Sequence, residues 1–327
     1  MCYNEIRFSK EVRMCLYYIA GALVLLALIA LGIAYYCYRR IFFSPPRRVL
    51  GEGEFELPPG KIYEAYREPM IRWMQMTRDL PHEDVSITSH DGLTLRGKYY
   101  EHKKGAPLEL LFHGYRGNAE RDMCAGVERC FAIGRNALII NQRSAGTSEG
   151  HVITFGIKEH RDCLDWIDFA IKRFGSEQKI ILTGVSMGAA TVMMAAGREL
   201  PPNVVCVLAD CGYSSAREII HKILREMKLP VPLVYPFIKL GARVFGHFSL
   251  EETSPMEAMR RARVPVIFIH GDADDFVPAE MSCALFEACT SQKKLVLIKG
   301  AGHALAFPVD KEGYLNALCD FQAECGF

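Results

Sequence analysis

At 327 residues, 50% of them hydrophobic and 24% charged, the chain has a globular composition and is long enough to bury one large core. A net charge of +1 gives no electrostatic footing for nucleic acid and excludes that class of partner. The twelve cysteines include no C-x-x-C pair and no zinc-ligand spacing, so no metal, no cofactor and no disulfide framework is expected. Several, such as Cys163, Cys206 and Cys319, lie inside apolar runs as small hydrophobes.

Behind an N-terminal tail (1–14), residues 15–38 form 24 positions without a charge, rich in Leu, Ala and Ile and with tyrosines at both ends. A bilayer span takes about 20 apolar residues, and tyrosine favours the interfaces. A signal peptide has a shorter apolar region, about 7–15 residues, and ends in a small-residue cleavage site. A core helix shows a polar face. An uncleaved, single-pass membrane anchor is therefore predicted. Arg7, Lys10 and Arg13 precede it, and Arg39, Arg40, Arg47 and Arg48 follow, so the positive-inside rule leans slightly towards a cytoplasmic C-terminal domain, as does the cysteine usage. The side of the membrane stays open.

A tether (39–60) with Pro45, Pro46, Pro58 and Pro59 leads to one domain, 61–327. Residues 61–78 carry an apolar stripe at helical spacing (Ile62, Ala65, Tyr66, Met70, Trp73, Met74), which predicts an amphipathic helix on the domain edge. Runs 85–88 and 93–100 flank His90-Asp91-Gly92 as a hairpin. Short apolar runs at 108–113, 137–141, 179–183, 204–209, 265–270 and 294–298 then alternate with helical patterns at 120–134, 158–174, 187–200, 279–291 and 310–322. That alternation predicts an α/β fold with a mostly parallel sheet covered on both faces. Between 209 and 264 it stops. Residues 214–250, rich in Ile, Leu, Val, Phe and Tyr, read as one or two helices separated at Leu229-Pro230-Val231-Pro232 and Tyr235-Pro236. An insertion of this size reads as a lid.

The strand at 180–185 meets Gly184-Val185-Ser186-Met187-Gly188, and an Ala/Met-rich helical run follows at once. This is the context of a nucleophile elbow, whose turn is so tight that Gly184 and Gly188 must lack a Cβ. The Met187 N–H opens a helix N-terminus and can stabilise an oxyanion. Gly146-Thr147-Ser148-Glu149-Gly150 fits the same pattern, but Ser148 lies in loop chemistry with no helix after it and is rejected.

A serine nucleophile needs a base and the base an orienting acid, which in doubly wound hydrolases follow in the order Ser, Asp/Glu, His. Of the ten histidines, six precede Ser186, His221 and His247 fall in the lid, and His270 ends a strand. His303, in the Gly-rich loop after the last strand, is left as the base. Asp272, Asp274 and Asp275 crowd the loop after the preceding strand, and spacing alone does not choose among them. The second oxyanion donor belongs to the loop after the third strand, residues 113–118, where the Tyr115 N–H is placed for it. Phosphate cradling is the rival reading of that loop, but its spacing is not that of a P-loop and no Lys follows.

These phrases together resemble the α/β-hydrolases related to serine aminopeptidases and prolyl-oligopeptidase-type esterases. The resemblance runs from about residue 85 to the C-terminus. It rests on His-Gly-Tyr-Arg-Gly-Asn (113–118), Gln-Arg-Ser-Ala-Gly-Thr-Ser-Glu-Gly (142–150), Gly-Val-Ser-Met-Gly (184–188), Ser254-Pro255, His-Gly-Asp-Ala-Asp-Asp-Phe-Val-Pro (270–278) and Gly302-His303. It implies an α/β-hydrolase fold, a Ser186–Asp274–His303 triad, the acid lying four residues after His270, and an acyl-enzyme. The departure is Asn141, where an Asp usually precedes Gln-Arg, a position that shapes a loop rather than the chemistry. The function expected is cleavage of carboxylic esters, with a small-molecule or lipid-like acyl substrate favoured by the lid and the anchor. The alternatives are an aminopeptidase-like peptidase or amidase, which the same triad permits, and a non-catalytic binding module on this scaffold.

Overall fold

The computed structural model describes residues 10–45, 51 and 53–326. Arg7 and the rest of the tail before residue 10, and Pro46, Arg47 and Arg48 of the expected tether, lie outside the described residues.

Helix α1 (Lys10–Ile41) extends the apolar stretch at both ends and is long and apolar enough to cross a membrane by length and composition. Its residues 13–33 are exposed apart from a half-buried Ala30, and from Ala34 onward it docks on the domain. The chain stays docked past the helix. Phe42 is fully buried, Phe43 bridges Val152, and Ser44 N–H donates to the His151 carbonyl at 2.9 Å. A free tether from residue 39 is thus not what the structure has. Residues 39–44 lack proline and carry Ile41, Phe42 and Phe43, which leave water by packing on the body.

The amphipathic stripe divides into a 3₁₀ segment (Lys61–Tyr66) and α2 (Arg67–Asp79). Pro69 has no N–H to give and fits the first turn of an α-helix, so the α-helical geometry starts just before it. The hairpin is β1 (Glu83–Thr88) and β2 (Thr94–Tyr100). Then follow β3 (Leu108–Phe112), α3 (Ala119–Ala132), β4 (Asn136–Asn141), α4 (Glu159–Phe174), β5 (Ile180–Val185), α5 (Met187–Ala196) and β6 (Val204–Asp210). Helix α5 stops short of the expected residue 200, at Gly197, with Pro201 and Pro202 beyond.

The break in the alternation holds α6 (Ala216–Glu226) and α7 (Val231–Val244), then the short α8 (Pro255–Met259). Ser215 caps α6 by accepting from the Glu218 N–H. Pro230 starts α7, but Tyr235-Pro236 does not break it: Tyr235, Ile238, Gly241 and Ala242 are buried, and that packing outweighs the lost N–H. The chain ends with β7 (Val266–Gly271), α9 (Ala279–Ala288), β8 (Lys293–Ile298), α10 (Ala306–Val309) and α11 (Lys311–Cys325).

The strands form one sheet in the order β1-β2-β4-β3-β5-β6-β7-β8, antiparallel at β1–β2 and β2–β4 and parallel from β4 onward. Alternate strand residues point to opposite faces. Leu110, Leu182, Val207 and Phe268 join one core layer with α4, α5 and α8, whereas Ile181, Leu208 and Ile267 face Leu318 and Phe321 of α11, and Leu111 faces α3. In mid-sheet, the fully buried Glu109 of β3 meets Arg129, Arg135 and the Thr183 hydroxyl. Burial pushes its carboxyl up, but the two guanidiniums override this and hold it at about 2. Strand order reverses at β3, so the carboxyl ends of β3 and β5 open a crevice, where sites form in sheets of this kind.

Candidate active site

Ser186 stands between β5 and α5 with φ 56° and ψ −114°, a backbone region that costs a non-glycine residue about 1–3 kcal/mol. Its N–H is tied to the Asp210 carbonyl at 2.8 Å. A Cβ at Gly184 would overlap the Gly188 backbone, and one at Gly188 would overlap the Phe112 carbonyl. Both glycines are therefore required by close approach. The turn lifts the serine hydroxyl towards the loop after β8.

His303 in that loop has Nε2 3.0 Å from Ser186 Oγ and Nδ1 2.7 Å from Asp274 Oδ2. Asp274 Oδ1 accepts the Phe276 N–H at 2.9 Å and the Val277 N–H at 2.8 Å. Burial pushes the Asp274 carboxyl up, yet hydrogen bonds from His270 and His303 hold it well below the usual carboxylate range. An ionised Asp274 accepts at Oδ2, so Nδ1 of His303 carries the proton and Nε2 is free to accept from Ser186. The other two carboxylates point elsewhere. Asp272 Oδ1 accepts the Gly300 N–H at 2.6 Å, and Asp275 is exposed.

Three buried groups behind this row escape sequence reasoning. His270 Nε2 lies 3.1 Å from Asp274 Oδ2 and 2.8 Å from the Val277 carbonyl, with Nδ1 2.6 Å from Ser282 Oγ. It fixes Asp274 from the side away from His303. Its signal was its place at a strand's carboxyl end four residues before Asp274. Asp210 accepts from the Tyr314 hydroxyl at 2.9 Å, and burial pushes its pKa up. Cys211 Sγ, an Asp274 oxygen and a His303 nitrogen lie within 4.8 Å of one another. Burial drives that thiol far above its ordinary pKa, so it sits there as a neutral packing group rather than as a thiolate ligand.

The loop after β3 lies against the serine: a Cβ at Gly114 would be 3.6 Å from Ser186 Cβ. The Tyr115 ring packs on Phe155 at 5.1 Å, and its hydroxyl donates to the Ile41 carbonyl at 2.6 Å. Arg116 donates to the Arg40 carbonyl at 2.7 Å. The last turn of α1 thus clasps the loop that carries the Tyr115 N–H, while Met187 is the first residue of α5, where N–H groups lack intrahelical partners. From below, Gln142 N–H donates to His113 Nε2 at 3.1 Å and the Gln142 side chain to the His113 carbonyl at 2.6 Å. Ser148 Oγ donates to the Asn141 carbonyl at 2.6 Å and accepts the Arg96 N–H at 2.8 Å, a wholly structural part. The Asn141 side chain accepts the Ala119 N–H at 2.9 Å, which places it in loop shaping. Arg116 (φ 53°), Ser186 (56°), Cys211 (44°) and Ala304 (56°) all surround the site, and local strain of this kind gathers where chemistry is done.

Residues 154–326 match the profile of the prolyl oligopeptidase family. The chain belongs to that family. Among curated proteins it is similar to YqkD of Bacillus subtilis, 25% identical over 58% of this chain and 62% of that protein, so it spans under two thirds of YqkD's length. It is also similar to Protein bem46 of Schizosaccharomyces pombe, 26% identical over 97% of this chain and 96% of the relative. Among solved structures it resembles the Pyrococcus furiosus esterase Pf2001, at 20% identity, 87% of this chain, 98% of that chain and a TM-score of 0.63. That likeness establishes the α/β-hydrolase fold. Family and fold together make the chain hydrolase-like.

Proposed function

We propose that this is a membrane-anchored serine hydrolase that cleaves carboxylic esters through an acyl-enzyme. The observation that carries the reading is the unbroken row Ser186 Oγ–His303 Nε2 at 3.0 Å and His303 Nδ1–Asp274 Oδ2 at 2.7 Å. Ser186 Oγ attacks the ester carbonyl carbon as His303 Nε2 takes its proton. The tetrahedral oxyanion is held by the N–H groups of Met187 and Tyr115. The bond to the leaving alkoxide breaks as His303 returns the proton to it. Water then attacks the acyl-enzyme by the same relay, releasing the carboxylic acid and restoring Ser186. Asp274 keeps the proton on Nδ1 and stabilises the imidazolium.

α1 is the anchor in this reading, and its exposed apolar residues support that role. The segment α6–α7 is the lid. It reaches from the acid loop, where Lys222 donates to the Asp275 carbonyl, to α1, where α7 packs at Gly241. Anchor and lid favour an acyl or lipid-like substrate. A fluorophosphonate probe should label the wild type and not Ser186→Ala; equal labelling of the two would refute Ser186 as the nucleophile, and a folded wild type that takes no label would leave a binding module. Turnover of p-nitrophenyl esters beside aminoacyl amides separates esterase from peptidase, and preference for the amides would overturn the ester assignment.

A further inference from the structure

Apart from the half-buried Ala30, helix α1 exposes residues 13–33, which at 1.5 Å per residue span about 31 Å, the thickness of a bilayer's hydrocarbon. At Ala34 one side of the helix becomes buried, because α7 packs there. A Cβ on Gly241 would run into the Ala34 carbonyl, and Phe245 lies 5.1 Å from the Tyr35 ring and 5.9 Å from the Tyr38 ring. Helix α7 therefore lies at the level where the hydrocarbon ends. Tyr35 and Tyr36, both exposed, mark the same level, as interfacial tyrosines do.

The exposed large apolar side chains outside α1 are not scattered. Among the described residues, Met227 (62% exposed), Leu229, Leu233 (67%) and Val244 lie on the α6–α7 segment, and Ile62 and Phe276 rim the mouth of the site. Phe276 stands 5.0 Å from the His303 ring, and Ile62 Cδ1 would lie 3.6 Å from a Cβ on Gly302. Leu297 on β8 is the remaining one. An apolar surface gathered beside a membrane-crossing helix has a ready occupant, because the bilayer around α1 already touches α7. Arg39 and Arg40 in the last turn of α1 and Arg243 in the last turn of α7 are exposed, and cations of this kind can snorkel towards anionic headgroups.

We propose that the joint of α6 and α7, with Met227, Leu229 and Leu233, is immersed in the leaflet that α1 enters, and that the mouth of the site takes its substrate, an acyl ester of a membrane lipid, laterally from that leaflet. This rests on reading α1 as a span and Ser186 as the nucleophile.

The test uses the full chain in phosphatidylcholine/phosphatidylglycerol vesicles containing doxyl-labelled lipid. Tryptophan is placed singly at Leu233, at Leu25 within α1 and at Leu297, and the quenching of each is compared with that of the two native tryptophans. Leu25→Trp and Leu233→Trp should be quenched and Leu297→Trp should match the native background. Quenching at Leu25 without quenching at Leu233 overturns the immersion, and so does an unquenched Leu25→Trp, which removes the membrane from α1. In the activity arm, Leu229→Asp with Leu233→Asp should lower kcat/KM on a vesicle-borne diacyl ester about tenfold or more, as expected from withdrawing leucines from hydrocarbon. The rate on soluble p-nitrophenyl butyrate should stay unchanged. Equal rates on the vesicle ester overturn lateral entry. Fluorophosphonate labelling of the same samples reports on Ser186 independently, so a failure of the catalytic reading is distinguishable from a failure of immersion.

Discussion

Replacing Asp274 by Asn tests the row of hydrogen bonds at its most constrained point. Asp274 receives four donors: the Phe276 and Val277 N–H groups on Oδ1, and His303 and His270 on Oδ2. The two backbone donors cannot move, so an Asn at this position keeps its carbonyl oxygen on them. Its NH₂ must then stand where Oδ2 stood, 2.7 Å from His303 Nδ1. A donor facing Nδ1 drives the imidazole to the tautomer protonated on Nε2, and that nitrogen can no longer take the Ser186 proton. The same substitution in a serine protease lowers kcat about 10⁴-fold, and a loss of that order is expected here. The assay is kcat on a p-nitrophenyl ester with the folded state checked by circular dichroism. Asp272→Asn, which faces the Gly300 N–H, and Asp275→Asn, which is exposed, should keep activity within a few-fold. A folded Asp274→Asn variant with a tenth or more of wild-type kcat would refute the reasoning, as would equal losses at all three positions.

Ser186→Ala should abolish ester turnover while Ser148→Ala keeps most of it at some cost in stability, because Ser148 only ties the Asn141 carbonyl to the Arg96 N–H; the reverse pattern in the same turnover assay would reassign the nucleophile. Tyr115→Phe removes one hydrogen bond, from the loop to the Ile41 carbonyl, worth about 0.5–1.5 kcal/mol. It should cut kcat about two- to tenfold with KM unchanged, and an unchanged kcat would mean that the clasp does not position the loop. Deleting residues 1–33 should leave a folded domain active on soluble esters, whereas deleting 1–44 also strips the fully buried Phe42 and both carbonyls that hold Tyr115 and Arg116, and should give an unstable or inactive protein in thermal melts. Glu109→Gln leaves Arg129 and Arg135 buried without their carboxylate and should cost about 3–5 kcal/mol in denaturation experiments. Because the folded Glu109 is held at about 2 against an ordinary 4.5, its stabilisation is complete above about pH 4.5 and lost as pH falls towards 2. The variant's acid-unfolding curve should be flatter across that window.

Much of this protein is legible from local spacing. Strand and helix periods, the hairpin at His90-Asp91-Gly92 and the glycines about Ser186 are encoded within a few residues of where they act, because side-chain direction and turn sterics are short-range. The order of strands, elbow and late loops also follows, since each candidate side chain sits at the carboxyl end of a strand. Local spacing leaves Asp272, Asp274 and Asp275 equivalent and only the family resemblance singles out Asp274; tertiary structure puts Asp274 against His303, for the three differ in how a loop folds on β7 and β8. It also brought Ser186 and His303 within 3.0 Å across 117 positions of sequence and put His270 behind Asp274. Residues 39–44, whose composition allowed a tether, became part of the site's support because Phe42 and the Ile41 carbonyl found partners at 151–155 and 115. Pro236 stayed helical because burial on α1 outweighed the missing N–H. Pattern fixes which surfaces are apolar, and only the packed fold settles what each of them is packed against.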